Sequence, residues 1–191
     1  EPLAHAFIAS SVLTQYAPAE LQAAWLARIA SGKALVVLAQ QERKARYALE
    51  KCEAKSAPAQ SGYTLTATKN IVPAGDQADA YLVPAQLDGQ IALFLVERSA
   101  SGVSAQGYAT QDGSRAAEVQ FANASATLIT KDGLAALELA VDTGIASLCA
   151  EAVGVMDKAV ALTVDYMNQR KQFGVTIASF QALRHRVADM K

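Results

Sequence analysis

The apolar positions of this chain change their spacing twice. Up to about residue 32 they recur at helical intervals. "PAELQAAWLARIASG" places Leu21, Trp25 and Ile29 on one face at i, i+4 and i+8. "AHAFIASSVLTQYA" before it is rich in Ala and Leu, and Pro18 interrupts the two. Pro18 suits a first helical turn and Gly32 a C-terminal stop. Trp25, the only tryptophan, is expected in the core. From about 34 to 130 the period drops to two. "ALVVLA", "RYALEKCE", "YTLTATKNIV", "AYLVPAQ", "IALFLVE" and "AEVQFA" read as strands, separated by turn signals such as "APAQSG", "PAGDQAD", "LDG" and "QDGS". Short strands joined by tight turns predict an antiparallel sheet closed into a barrel or sandwich. Parallel pairing would call for helical crossovers, and no insert has the length.

From about 132 the helical period returns. Leu134, Leu137, Val141, Ile145, Leu148, Ala152, Val155, Ala159, Leu162 and Tyr166 recur at steps of three and four. An unbroken helix over 132–170 would be roughly 58 Å long and would want partner helices. Gly144 and Gly154 would admit a close neighbour. A turn at "FGVTIAS" precedes a second helix from about Ser179, and "FQALRHRVADMK" is still helical in pattern at the last residue. The expected fold class is α+β: a helical segment over 1–32, an antiparallel β barrel or sandwich over 33–130, then a truncated C-terminal helical bundle over 131–191.

Composition narrows the function classes. Hydrophobic residues make up 52 % and charged residues 18 %, and the net charge is -1. That is a globular balance with no general nucleic-acid or membrane surface. No uninterrupted apolar run reaches the length of a membrane span. Cys52 and Cys149 form no CxxC pair, and with two histidines a metal site is not expected. A reducing, cytoplasmic setting is the default expectation.

The chemistry concentrates in "YMNQRKQFG", residues 166–174. Arg170 and Lys171 at a helix end, followed by Phe173-Gly174, have two readings. They complement the helix dipole before a glycine stop, or they clamp an anion.

"VDYMNQRKQFGVTIASFQALRHRVADM" resembles the signature of the acyl-CoA dehydrogenase family: a tyrosine followed by R-K-Q-F-G, then I-x-x-F-Q and a closing A-D-M. "AEAVGVMDKAVAL", "YTLTATKNIVPAGDQADAYLV" and "IALFLVERSASGVS" are similar to further family segments, and the helical–β–helical order agrees. The resemblance implies FAD as cofactor and α,β-dehydrogenation of an acyl-CoA substrate. A carboxylate base takes the α-proton, hydride passes to the flavin N5, and electrons go on to an electron-transfer flavoprotein. It also implies a homo- or hetro-oligomer, because the arginine matching Arg170 contacts the FAD pyrophosphate from a neighbouring subunit. The positions matching Gln172 and Phe173 lie along the adenosine end, and Gln181 matches a glutamine near the cofactor.

The departures from the family pattern bear on mechanism. Gln41 stands where the family has a flavin-contacting threonine, followed by Glu42, and the usual proline and glycine-serine-aspartate are absent from "LAQQERKARY". After Lys69, the flavin-facing positions become Ile71, Val72 and Pro73. Pro73 has neither a hydroxyl nor an N–H to offer the flavin edge. The alternative base position on the long helix is Gly144, and the neighbouring substrate arginine is Ile145. No catalytic residue can therefore be nominated among these residues; Asp142 and Glu151 are the nearest carboxylates on that helix. Two functions are expected from the resemblance: an FAD-dependent acyl-CoA dehydrogenase, or a non-catalytic, FAD-sharing partner subunit of one.

Overall fold

The computed structural model describes residues 2–191. The chain divides into two compact units, residues up to Ile145 and Ala146–Lys191.

The first unit opens with α1 (Pro2–Tyr16) and α2 (Ala19–Ala30). Pro18 caps α2, and Gly32 follows it at φ +70°, a left-handed value that glycine adopts without strain. There the Lys33 N–H returns to the Arg28 carbonyl at 2.8 Å. Trp25 and Ile29 are buried, as their helical spacing predicts.

Seven strands follow: β1 (Val36–Leu38), β2 (Lys55–Pro58), β3 (Tyr63–Pro73), β4 (Ala80–Leu87), β5 (Gln90–Glu97), β6 (Val103–Ala109) and β7 (Arg115–Thr130). Around the sheet β4 pairs β2, β2 pairs β3, β3 pairs β7, β7 pairs β5, and β5 returns to β4, closing a barrel. Strand β6 lies on β7. Inside sit Leu65, Tyr81, Val83, Phe94, Val96, Val119 and Phe121. The opposite parity of β4 and β5 (Leu82, Leu93 and Leu95) packs outward against Val12 and Leu13 of α1, against Trp25 and Ile29, and against Leu137. Strand β4 is thus covered on both faces, which explains why "AYLVPAQ" reads as continuously apolar rather than alternating.

The sheet is mixed, where an antiparallel one was expected. Strand β1 runs parallel to β4, with Val36 opposite Ala80, and β2 meets β4 in parallel at Lys55 and Gln86. The crossover from β1 to β4 contains the β2–β3 hairpin, so no helix is needed to return the chain. Asp79 sets the register: its carboxylate accepts the Leu35 N–H at 2.8 Å, and its own N–H donates to the Leu35 carbonyl. "RYALEKCE" is not a strand. Residues 43–50 form successive turns in which the N–H of Ala45 reaches Glu42, that of Ala48 reaches Ala45, and that of Lys51 reaches Ala48. Arg46 there sits at φ +52°, outside the extended region. Conversely, part of "KSAPAQSG" is strand β2, and "VSAQGYA" is β6.

The unit ends in the first residues of α3 (Gly133–Gln169), which is 37 residues or roughly 55 Å long. Gly144 meets α1: a Cβ there would lie 3.3 Å from Ile8 Cδ1. Gly154, by contrast, meets nothing within 4 Å. Helix α3 is the one helix among the described residues long and apolar enough to cross a membrane by length and composition, with a mean hydropathy of 1.5 in its most apolar stretch. Scanning for uninterrupted apolar runs misses it because scattered polar residues break the run. A helix packed into a bundle carries the same pattern.

The second unit holds the rest of α3, the two-residue strands β8 (Lys171–Gln172) and β9 (Val175–Thr176), a 3-10 turn over Ile177–Ser179, and α4 (Gln181–Met190). Phe173 at φ +55° and Gly174 at φ +83° make the hairpin turn between β8 and β9. Two central residues at positive φ define the type I′ turn that matches strand twist.

Candidate functional site

Two places carry the candidate chemistry, one in each unit. In the first unit it gathers where β3 is distorted. The pairing of β3 with β7 slips between Lys69 and Val72, a bulge that changes the parity of the strand. Leu65 and Lys69 face inward before it and Val72 after it, leaving Asn70, Ile71 and Pro73 towards the outside. Ile71 holds φ +49°, an outlier for a β-branched residue and a sign of stored strain. Beside the bulge runs the segment after β1. The Asn70 N–H donates to the Gln41 carbonyl at 2.8 Å. Between the two lies a cleft of about 170 Å³ lined by Leu38, Gln40, Gln41, Asn70, Ile71, Val72 and Pro73, with His5 and Ile8 of α1 on its wall.

The structure therefore brings Gln41 and Pro73 to one cleft. Val72, grouped with them by sequence, also borders that cleft, although its side chain is buried in the barrel core. Sequence reasoning missed Gln40, whose Oε1 is buried and has no hydrogen-bond partner. A buried amide oxygen without a donor is an acceptor whose hydrogen bond is unmet.

Behind the cleft is a buried ion pair. Lys69 is fully buried and Glu42 is 5 % exposed. The Lys69 ammonium donates to Glu42 Oε1 at 2.6 Å, to the Pro84 carbonyl at 3.0 Å and to the Gln40 carbonyl at 3.4 Å. Glu42 also accepts the N–H of Glu53 at 2.6 Å and of Ala54 at 3.2 Å. Burial pushes the Glu42 carboxyl upward, but the Lys69 hydrogen bond and charge, with the two backbone N–H groups, outweigh it. The carboxyl is held below its usual range. The Cys52 thiol lies 3.7 Å from Glu42 Oε1, and burial foremost pushes it up, with the Glu42 carboxylate adding to the shift against the opposing pull of Lys69. A signal for the pair was present in the sequence: Lys69 occupies the inward parity of Leu65 and Ala67.

In the second unit, Arg170, Gln172, Phe173 and Gln181 fall within a hairpin and the start of α4. The Arg170 main chain is tied down, its N–H to Tyr166 and its carbonyl to the Ile177 N–H, both at 2.8 Å. Its guanidinium is exposed and has no ion-pair partner among the described residues. Gln172 and Gln181 are exposed, the former's amide folding onto the Lys171 carbonyl at 2.8 Å. Phe173 is 91 % exposed and meets Phe180 edge-on at 6.2 Å between centroids. A larger cleft of about 750 Å³ between α3 and α4 is lined by Met156, Val160, Val164 and Val187 and includes none of these four. Asp142 and Glu151 are exposed on α3.

Comparison with known proteins covers both units. Residues 131–191 match the family model for the acyl-CoA dehydrogenase C-terminal domain. Over 185 residues, 95 % of this chain, it is 29 % identical to the acyl-CoA dehydrogenase FadE27 of Mycobacterium tuberculosis and spans 48 % of that protein. Over 141 residues, 67 % of this chain, it is 31 % identical to an acyl-CoA dehydrogenase of Bacillus subtilis and spans 37 % of it. A solved FAD-dependent dehydrogenase superposes with a TM-score of 0.91 at 25 % identity, covering 98 % of this chain and 54 % of that one. The chain thus spans about half the length, or less, of the relatives it matches. With residues 131–191 matched by the family model and 67 % of the chain aligned at 31 % identity with an acyl-CoA dehydrogenase, the chain belongs to the acyl-CoA dehydrogenase family.

Proposed function

We propose that this chain carries the barrel and the arginine-bearing hairpin of an FAD-dependent acyl-CoA dehydrogenase. The observation that carries the reading is Arg170, an exposed guanidinium without a carboxylate partner among the described residues, three positions before the exposed ring of Phe173 on the same hairpin. Its fixed fork of donors suits paired phosphate oxygens, and the Phe173 ring offers an apolar face for a purine. Gln172 and Gln181 would supply amides along the same end. In the barrel, the cleft alternates apolar walls (Ile8, Leu38, Ile71, Pro73) with the amides of Gln40, Gln41 and Asn70. That mixture fits the edge of a flat heteroaromatic ring carrying donors and acceptors, and the unpartnered Gln40 oxygen is the buried acceptor such an edge would satisfy. Bound there, FAD would supply the two-electron acceptor for α,β-dehydrogenation of a CoA thioester. Pro73 would give that ring contact without a hydrogen bond. An electron-transfer flavoprotein as the onward acceptor and an oligomeric assembly are part of the proposal.

A second reading is supported by the helix. Gly144 stands where a minority of the family would carry the base, so α3 has no carboxylate there, and a Cβ at that position would press on Ile8 Cδ1 at 3.3 Å. This favours a non-catalytic subunit that contributes its arginine to a partner's FAD. One experiment separates the readings. The purified protein is reconstituted with FAD, its visible absorbance recorded, and an acyl-CoA added. A yellow protein that bleaches supports the enzyme. A protein colourless alone and yellow only with a partner subunit supports the second reading. No flavin under either condition refutes both.

A further inference from the structure

We propose that the buried Lys69–Glu42 pair is a positioning element that sets the amide-bearing wall of the cleft. The inference rests on the reading of that cleft as the place of the flavin ring. The geometry argues it. The segment 40–42 has no strand partner of its own, yet it supplies two of the cleft's amides. It is gripped at each residue: the Gln40 carbonyl by the Lys69 ammonium at 3.4 Å, the Gln41 carbonyl by the Asn70 N–H at 2.8 Å, and the Glu42 carboxylate by Lys69 at 2.6 Å. Lys69 and Asn70 are adjacent on β3 at the start of its bulge, so one strand holds the whole segment against the strained Ile71. The third contact of Lys69, to the Pro84 carbonyl at 3.0 Å, anchors the grip in β4, a strand of the barrel wall paired with β1, β2 and β5. A buried ion pair is a poor source of net stability, since its desolvation offsets most of its attraction. Fixing one arrangement of a segment that carries polar groups is what such a pair does well when all its hydrogen bonds are made, as they are here.

The pair acts through Gln40 and Gln41 and would not itself touch a ligand. The test removes both charges together, Lys69→Met with Glu42→Gln, so that neither is left buried alone. Amide hydrogen exchange is followed in the FAD-free protein, and FAD is then titrated in. The Asn70 amide should exchange at least about tenfold faster in the variant while the β4–β5 ladder amides keep their protection. In the same variant FAD should bind about tenfold more weakly, with a visible band closer to that of free FAD. Glu42→Gln alone, which keeps the size and one acceptor oxygen, is read in the same way should the double variant not fold. Unchanged Asn70 exchange would overturn the proposal, and so would loss of protection across the whole sheet in both variants, which would make the pair a general fold element. If the unsubstituted protein gives no flavin band with FAD, the cofactor reading of the cleft fails. The exchange result then still decides whether the pair positions the segment.

Discussion

Removing the Lys69 ammonium alone should be far more damaging than removing it with its partner. Lys69→Met is close to isosteric, but it leaves the Glu42 carboxylate, 5 % exposed, without a counter-charge and strips a donor from the Pro84 carbonyl. The Glu53 and Ala54 N–H groups remain and solvate the carboxylate only in part. Breaking a buried pair from one side costs about 3–5 kcal/mol, whereas replacing both members by neutral groups is often nearly neutral. In a chain of this size the single variant should lose on the order of 10 °C in Tm, and adding Glu42→Gln should restore most of it. The pH dependence has a definite sign. The folded carboxyl titrates below its ordinary range because of Lys69 and the backbone donors, despite burial. Its stabilisation is therefore present above the ordinary carboxylate pKa and is lost as pH falls through the lowered folded value. In Lys69→Met burial is opposed only by the Glu53 and Ala54 N–H groups, so the carboxyl protonates at higher pH and the gap between the two proteins narrows in acid. Circular dichroism melts at neutral and acid pH measure both effects. A single variant within about 1 kcal/mol of the parent, or a double variant as unstable as the single one, would refute the reasoning.

Arg170→Lys should leave Tm unchanged, since the side chain is exposed and unpaired, but weaken FAD retention roughly tenfold as a point charge replaces a fork; equal flavin content after gel filtration would count against the clamp. Gln40→Leu removes a buried orphan acceptor, so it should hold or raise stability by about 1 kcal/mol while weakening FAD binding, opposite signs that a melt and a flavin titration together resolve. Gly133→Ala should destabilise by about 1–3 kcal/mol, because a Cβ there would lie 2.6 Å from the Ile91 carbonyl oxygen. An unchanged urea midpoint would show that α3 does not sit so tightly on β5. Of the two free thiols, exposed Cys149 should be alkylated fast and Cys52, half-buried and pushed up, only slowly; two equal rates in a mass-spectrometric time course would contradict that partial burial.

Periodicity alone determined the elements whose partners matter least to their local form. The face of Leu21, Trp25 and Ile29, the length of α3 and the turn at Phe173-Gly174 follow from residue spacing and backbone preference, and these show in a short window. The apolar runs of β4 and β5 do so as well. Spacing alone left Arg170 open between a helix cap and an anion clamp, and only the resemblance of the surrounding motif to the family signature singled it out.

What needed the tertiary structure is everything that joins distant residues. "RYALEKCE" alternates like a strand, but the Glu42 carboxylate captures the Glu53 and Ala54 N–H groups and turns the chain before it. The parallel return of β1 to β4, the β3 bulge that buries Val72 and exposes Pro73, and the orphaned Gln40 oxygen depend on which strands meet. Parity puts Lys69 on the inward face of its strand, but nothing near Glu42 in sequence marks it as the partner until a closed barrel excludes water from both. Their pairing is a consequence of burial, and burial is a property of the whole fold rather than of any stretch within it.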